Sequence, residues 1–302
     1  MTKELLFIQL VQKLSSKKVF FGHAVVDAED EAMMVLMHVL QQTVEEILST
    51  GTETVNLDVI EKSKDFVKTR IATLNPMAYI LGTVNFCRLN FKCDARALVP
   101  RSPIAELILQ GFDSWIDINN TKQALDLCTG SGCIGISIAH YYEHIAVDLS
   151  DISGQALCLS EENISLHGLS YRVSNIKSDL FNNIHKKYDL IVTNPPYVSD
   201  AEYQELPEEF KQEPKLGLVS TQQGLTIPVT ILLEASQYLN DNGLLFLEVG
   251  YSDTALDGAF SKINIEWIDF LNGGQGVCVF SKEKLVEYHD YFKAFLENKH
   301  VI

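Results

Sequence analysis

Leu125-Asp126-Leu127-Cys128-Thr129-Gly130-Ser131-Gly132-Cys133-Ile134-Gly135 reads as a strand, a turn of small residues and the start of a helix. That order lets main chain approach a bound nucleoside, because the turn and the helix N-terminus present backbone N–H groups. Gly130 and Gly132 carry the turn, where a Cβ would block the ligand or forbid the positive φ of so sharp a bend.

A second strand, expected over residues 144–149, runs into Asp148-Leu149-Ser150-Asp151-Ile152-Ser153 and places a carboxylate where it accepts both ribose hydroxyls. Asp151 is preferred to Asp148: it directly precedes a helix starting near Ser153, whereas Asp148 lies within the strand. A third strand, 171–177, leads to Ser178-Asp179-Leu180-Phe181. Asp179 suits an exocyclic amine, and Leu180 and Phe181 suit a flat base. Taken singly, Asp179 is more often a helix cap. Three such signals at successive strand ends predict a nucleoside pocket at the carboxyl edge of a sheet. These signals alone leave a dinucleotide dehydrogenase open, although the third glycine of that fingerprint is missing.

Outward from this stretch, strands are expected at 123–128, 188–193 and 243–249, with a closing pair at 263–270 and 276–281 and helices between. The alternation predicts an α/β fold with a doubly wound, mostly parallel sheet. Residues 3–82 read as helices, with a stripe at Leu6, Leu10 and Leu14 and further apolar positions from Met33 to Leu48 and from Val59 to Leu74. Met33, Met34 and Met37 are read as core rather than as an adaptable binding face. Residues 83–101 alternate as a hairpin does, a helix follows over 104–115, and 282–298 forms a terminal helix. The division expected is a helical unit at 1–82, a hairpin linker at 83–101 and the sheet domain at 102–302. The stretch 198–224 is long for a loop in a compact domain and is expected to be functional.

The chain has 302 residues, 46% of them hydrophobic and 21% charged, within the globular range. Its six cysteines are scattered, several in apolar runs, as reduced structural thiols are; no metal site is expected. The N-terminus mixes Lys3, Glu4, Gln9 and Lys13 into its apolar residues, unlike a signal peptide, and no later run is long enough for a bilayer. A cytoplasmic protein is expected. A net charge of −16 disfavours broad contact with a phosphate backbone and favours a basic protein partner, although solubility alone also accounts for it.

The strand 189–193 runs into Asn194-Pro195-Pro196-Tyr197. Methyl transfer to a planar amide or amino nitrogen needs acceptors that hold its N–H bonds and draw its lone pair out of conjugation. The Asn194 side-chain oxygen and the Pro195 carbonyl are such acceptors, the prolines stiffen the loop, and the Tyr197 ring gives a flat wall. No strong base is required, since the nitrogen sheds its proton readily once alkylated.

On these residues the chain resembles the class I methyltransferases with an Asn-Pro-Pro-Tyr motif, and within them the protein-glutamine methyltransferase family, over nearly its whole length. The resemblance implies a Rossmann-like methyltransferase fold, S-adenosylmethionine as cofactor, and a helical N-terminal domain that recognises a protein substrate. It also implies that Asn194 and Pro195 hold a glutamine amide beside Tyr197, with Pro196 at the same substrate site. The expected cofactor contacts are Asp126, Cys128, Thr129, Gly130, Ser131, Gly132, Asp151, Ile152, Asp179, Leu180 and Asn194. Release-factor enzymes of that family carry Pro-Arg-Pro-(Asp/Glu)-Thr-Glu before the first strand. Here Val99-Pro100-Arg101-Ser102-Pro103-Ile104-Ala105-Glu106 stands instead. With Leu206-Pro207-Glu208-Glu209-Phe210, Glu213-Pro214-Lys215-Leu216-Gly217-Leu218 and Asn272-Gly273-Gly274-Gln275-Gly276-Val277, it resembles the branch acting on large ribosomal subunit protein L-three. The first glycine of the usual cofactor turn is replaced by Cys128. Two readings compete: a base-directed nucleic-acid methyltransferase, opposed by the acidic charge, and an assembly factor that has lost catalysis, opposed by the intact motif. Arg101 suits the cofactor carboxylate or the substrate, or an ion pair with Glu106 or another acid.

Overall fold

The computed structural model describes residues 1–16, 19–112 and 115–297. Five helices come first: α1 (Lys3–Ser15), α2 (Ala28–Leu40), α3 (Val44–Ser49), α4 (Leu57–Thr73) and α5 (Met77–Leu81). Leu6, Leu10 and Leu14 recur every fourth residue of α1 and are fully buried, each contributing about 1.5–3 kcal/mol on the usual transfer scale. They share one apolar core with Ala32, Val35 and Leu36 of α2 and Val67 of α4, and Met33, Met34 and Met37 pack against it. The apolar run expected to continue to Leu48 is broken, because Gln41 turns left-handed at φ 53° and Thr43 opens α3 with a capping box to Glu46.

The hairpin of β1 (Thr83–Phe86) and β2 (Leu89–Lys92) sends Val84, Phe86 and Phe91 into the core of the sheet domain, so the linker is packed rather than free. Helix α6 (Ile104–Gln110) stops at Gly111, in left-handed conformation, short of the expected residue 115.

The sheet domain continues with β3 (Gln123–Leu127), α7 (Cys133–Tyr141), β4 (Ala146–Asp151), α8 (Gly154–Leu166), β5 (Val173–Lys177) and β6 (Tyr188–Thr193). After α9 (Asp200–Glu205) and α10 (Thr226–Glu234) come β7 (Leu239–Glu248), α11 (Asp253–Ala259), β8 (Glu266–Trp267) and β9 (Val277–Ser281). Helices α12 (Lys282–Glu287) and α13 (His289–Glu297) close the described chain, where one terminal helix was expected; Asn298 lies outside the described residues. The strand order is β5-β4-β3-β6-β7-β9-β8, parallel except that β9 runs antiparallel to both neighbours. The expected strand at 263–270 shrinks to Glu266–Trp267, and β4 runs on to Asp151, which is its last residue.

Side chains alternate across the sheet as pleated strands require. Ala124, Leu190, Val192 and Phe246 enter the core on the face covered by α6 and α7, while Leu125, Ile191, Leu245 and Leu247 enter the core packed by α10 and α13. At β3 and β6 the winding changes direction, so the loops leaving their carboxyl ends part and a cleft opens between them.

Candidate active site

One wall of the cleft is the glycine turn. Cys128, Thr129, Gly130 and Ser131 line it, with φ +57° at Gly130 and +84° at Gly132 as the sharp bend demands. Asp151 faces them: its Oδ2 accepts from Gly130 N at 2.9 Å and its Oδ1 from Ser153 N at 2.8 Å. Each oxygen keeps a further lone pair for a hydroxyl in the cleft. Burial pushes the Asp151 carboxyl above its ordinary range, against these hydrogen bonds. Asp148 is buried away from the cleft, where it takes Tyr188 Oη at 2.8 Å and the Lys186 ammonium. Ile152, Asp179 and Leu180 line the cleft beyond Asp151.

Three residues of the expected site stand off the cleft wall. Asp126 is buried behind the turn, not in the cleft wall; its Oδ2 accepts from Thr129 Oγ1 at 2.6 Å and Gly135 N at 2.8 Å, and so shapes the turn. Burial pushes its carboxyl up to about 7. Gly132 also lies behind the wall, at the N-cap of α7, where a Cβ would sit 2.8 Å from Ile136 Cδ1. Phe181 does not cover the cleft; it is buried in the core, stacked on Tyr238 with ring centroids 4.5 Å apart.

Cys128 adopts φ +60°, the left-handed conformation for which a glycine is best suited. A side chain there costs roughly 1–2 kcal/mol. Burial, with Asp151 and Asp126 nearby, pushes its thiol up, so it stays a neutral apolar lining group.

The other wall is the motif. Asn194, Pro195, Pro196 and Tyr197 all line the cleft at the end of β6, and the preceding Thr193 hydroxyl donates to Leu127 O at 2.7 Å, tying β6 to the strand before the turn. The Tyr197 ring lies so close to Gly250 that a Cβ there would come within 2.6–2.7 Å of its atoms. Gly276 presses on Gly250 in turn, its virtual Cβ only 1.9 Å from Gly250 O. This stack gives a physical reason for the glycine of Asn272–Val277, a run whose turn is also held by Glu106, which accepts from Leu271 N at 2.8 Å and Asn272 N at 3.1 Å. Burial pushes the Tyr197 phenol up, with Glu248 adding to it, so the ring is neutral.

Glu248, the last residue of β7, lines the cleft beside the motif and is nearly inaccessible to solvent. It accepts a short hydrogen bond from the Ser102 hydroxyl, and the Tyr197 and Asn194 side chains stand close enough to favour its ionised form. Burial nevertheless pushes its carboxyl up to about 7. The sequence reading missed it. The signal was there: one acid in the apolar run Leu244-Leu245-Phe246-Leu247-Glu248-Val249, at the carboxyl end of a parallel strand.

The long loop folds back on the motif. Val198 N donates to Leu218 O at 2.8 Å, and Pro214, Leu216, Gly217 and Leu218 line the cleft. Buried charges anchor the loop. Glu213 accepts from Val99 N and from Arg101 Nη1, both at 2.9 Å, and meets His23 Nε2 at 2.9 Å. Burial alone would raise Glu213, but Arg101 and His23 outweigh it and hold the carboxyl below its ordinary range. The acid that pairs with Arg101 is therefore Glu213, not Glu106. Arg70 of α4, fully buried, contacts Glu31 at 2.6 Å and Glu209 at 3.4 Å and donates to Phe20 O at 2.9 Å. Phe210 packs between Phe20, His23 and Arg101. The Leu206–Phe210 and Glu213–Leu218 runs thus join the helical unit to the motif.

Among the described residues no group of three His, Cys, Asp or Glu side chains is placed to hold a metal ion, and no helix is long and apolar enough to cross a membrane.

A switch-point cleft with a glycine turn, a ribose-type carboxylate and an Asn-Pro-Pro-Tyr wall defines a class I methyltransferase. Residues 105–221 match the family model of the methyltransferase small domain. The chain is 39% identical over 293 residues to a ribosomal protein uL3 glutamine methyltransferase of Francisella tularensis, covering 95% of this chain and 92% of that one. It is 42% identical over 270 residues to one of Xanthomonas campestris, covering 89% and 87%. The chain belongs to the ribosomal protein uL3 glutamine methyltransferase family. Among solved structures, the hMettl16 catalytic domain in complex with MAT2A 3′UTR hairpin 6 superposes with a TM-score of 0.52 at 12% identity, over 76% of this chain and 87% of that one; it shares the fold.

Proposed function

We propose that this protein transfers a methyl group from S-adenosylmethionine to the side-chain amide nitrogen of a glutamine in ribosomal protein uL3, the large-subunit protein L-three. The observation that carries the reading is the joining, in one cleft, of the Asp151 wall and the Asn194–Tyr197 wall. The donor set fits the cofactor: Asp151 offers lone pairs to ribose hydroxyls, Asp179 an acceptor for an exocyclic amine, and Leu180 with Cys128 apolar cover for the base. Bound there, the cofactor would supply an electrophilic sulfonium methyl.

Asn194 Oδ1 and the Pro195 carbonyl would accept the two N–H bonds of the target amide, turning its lone pair toward the methyl. The Tyr197 ring, pressed by Gly250, would exclude water on one side. The amide nitrogen so held would take the methyl as the bond from that carbon to sulfur broke, and the nitrogen's proton would pass to solvent. Residues 1–82 would dock the substrate protein, residues 83–101 would link, and residues 102–302 would carry the chemistry. A basic ribosomal protein suits a chain of charge −16, and direct sequence-specific nucleic-acid contact has no role in this reading.

The test is transfer of labelled methyl to purified uL3, release factor and duplex DNA in parallel, with mass spectrometry locating the label. Label on a uL3 glutamine is expected; label only on release factor changes the substrate, and label on DNA overturns the amide reading. Asn194→Ala is expected to lower turnover by about 10²–10³, the scale for losing one preorganised polar contact to the reacting group, while cofactor affinity stays near that of the parent.

A further inference from the structure

Asn194 has a carbonyl end and an amino end of nearly the same shape, and only the carbonyl end can accept a target N–H. Something must therefore hold the carboxamide in one of its two orientations. The neighbour able to do so is Glu248: the parallel register of β6 and β7 sets Thr193 beside Leu247, so the next residues, Asn194 and Glu248, stand side by side at the cleft. An ionised carboxylate accepts and cannot donate, so an Asn194 side chain that pairs with it must present its amino group there.

We infer that Glu248 is a positioning residue for methyl transfer: it holds Asn194 Nδ2 toward its own carboxylate and so turns Asn194 Oδ1 toward the target amide. The inference rests on the amide-methylation reading above. Glu248 is itself fixed by the Ser102 hydroxyl from the segment before α6, at the nearly inaccessible end of β7, with Tyr197 of the motif loop lining the same cleft. Arg101 and the neutral Tyr197 phenol are the charged and titratable groups that face it among the described residues. Glu213 accepts from Arg101 Nη1 at 2.9 Å.

The sign of the pH dependence follows. Glu248 must be ionised to act as an acceptor only; protonated, it donates, and Asn194 gains the option of turning its carbonyl inward. Turnover should rise with pH through about 7. Glu248→Gln keeps the shape but offers both donor and acceptor, so the selection of one orientation is lost.

The experiment compares the parent protein, Glu248→Gln and Ser102→Ala, measuring kcat, KM for uL3, cofactor affinity and the pH profile of kcat. For Glu248→Gln, kcat is expected to fall about ten- to a hundredfold, as for a misplaced reacting group. KM and cofactor affinity should change by less than about threefold, and the pH step should vanish. Ser102→Ala removes a donor that favours the ionised form, so its step should move to higher pH, which keeps the inference testable if Glu248→Gln fails to fold. A Glu248→Gln protein with kcat within about twofold of the parent, or with the same step, overturns the inference alone, as does an unmoved step in Ser102→Ala. A parent protein that labels no glutamine overturns the function reading, and this role with it.

Discussion

The glycine-turn wall is held by contacts between residues near in sequence: Thr129 to Asp126 spans 3 positions, and Gly130 to Asp151 spans 21. On the motif wall, Ser102 reaches Glu248 across 146 positions, Val99 reaches Glu213 across 114, and Arg70 reaches Glu209 across 139. Backbone geometry and short hydrogen bonds build the first wall. Buried charges gathered from four distant segments build the second. The first should therefore tolerate damage elsewhere in the chain, and the second should report it.

Three substitutions test this contrast. Arg70→Ala is expected to cost about 3–5 kcal/mol in urea unfolding, because it strands Glu31 and Glu209 without their buried cation. It should disturb protein-substrate binding while leaving cofactor affinity per folded molecule unchanged. Equal losses of both would break the comparison. Asp151→Asn should weaken cofactor binding by about 1.5–3 kcal/mol, the scale of hydrogen bonds to a charged group, with a smaller effect on turnover at saturating cofactor. Titration calorimetry separates these. Cys128→Gly relieves the left-handed backbone, at some cost in unfolded-chain entropy, and should stabilise the fold by about 0.5–1 kcal/mol, read as a raised unfolding midpoint. A loss of stability there would mean that the thiol packs better than its backbone strain suggests.

The same contrast governs what the sequence makes legible. Gly130, Asp151 and Asp179 could be read because strand, turn and acid follow one another in chain order, and the Asn194–Tyr197 motif because its chemistry is compact. Asp126 and Gly132 shape the turn from behind the cleft wall, a depth that periodicity does not record, since it tells which residues form a turn but not which of them face outward. Phe181 went the other way, its ring finding Tyr238 in the core. Glu248 stood out as one acid in an apolar strand, but its partner Ser102 and the His23–Glu213–Arg101 cluster were out of reach, because each gains its meaning from a residue more than a hundred positions away. The small closing strand and the split terminal helix were lost to local breaks that an apolar pattern does not record.

Arg70 clamps the Phe20 carbonyl and the Glu209 carboxylate with a single guanidinium, Phe20 N donates to the same carboxylate at 2.9 Å, and the Phe210 ring packs on that of Phe20. Two stretches nearly two hundred residues apart are thereby one heritable part. A chimera that takes its helical unit from a relative must take that relative's 206–217 segment as well, and substitutions in either stretch should accumulate in step with the other as the family diverges.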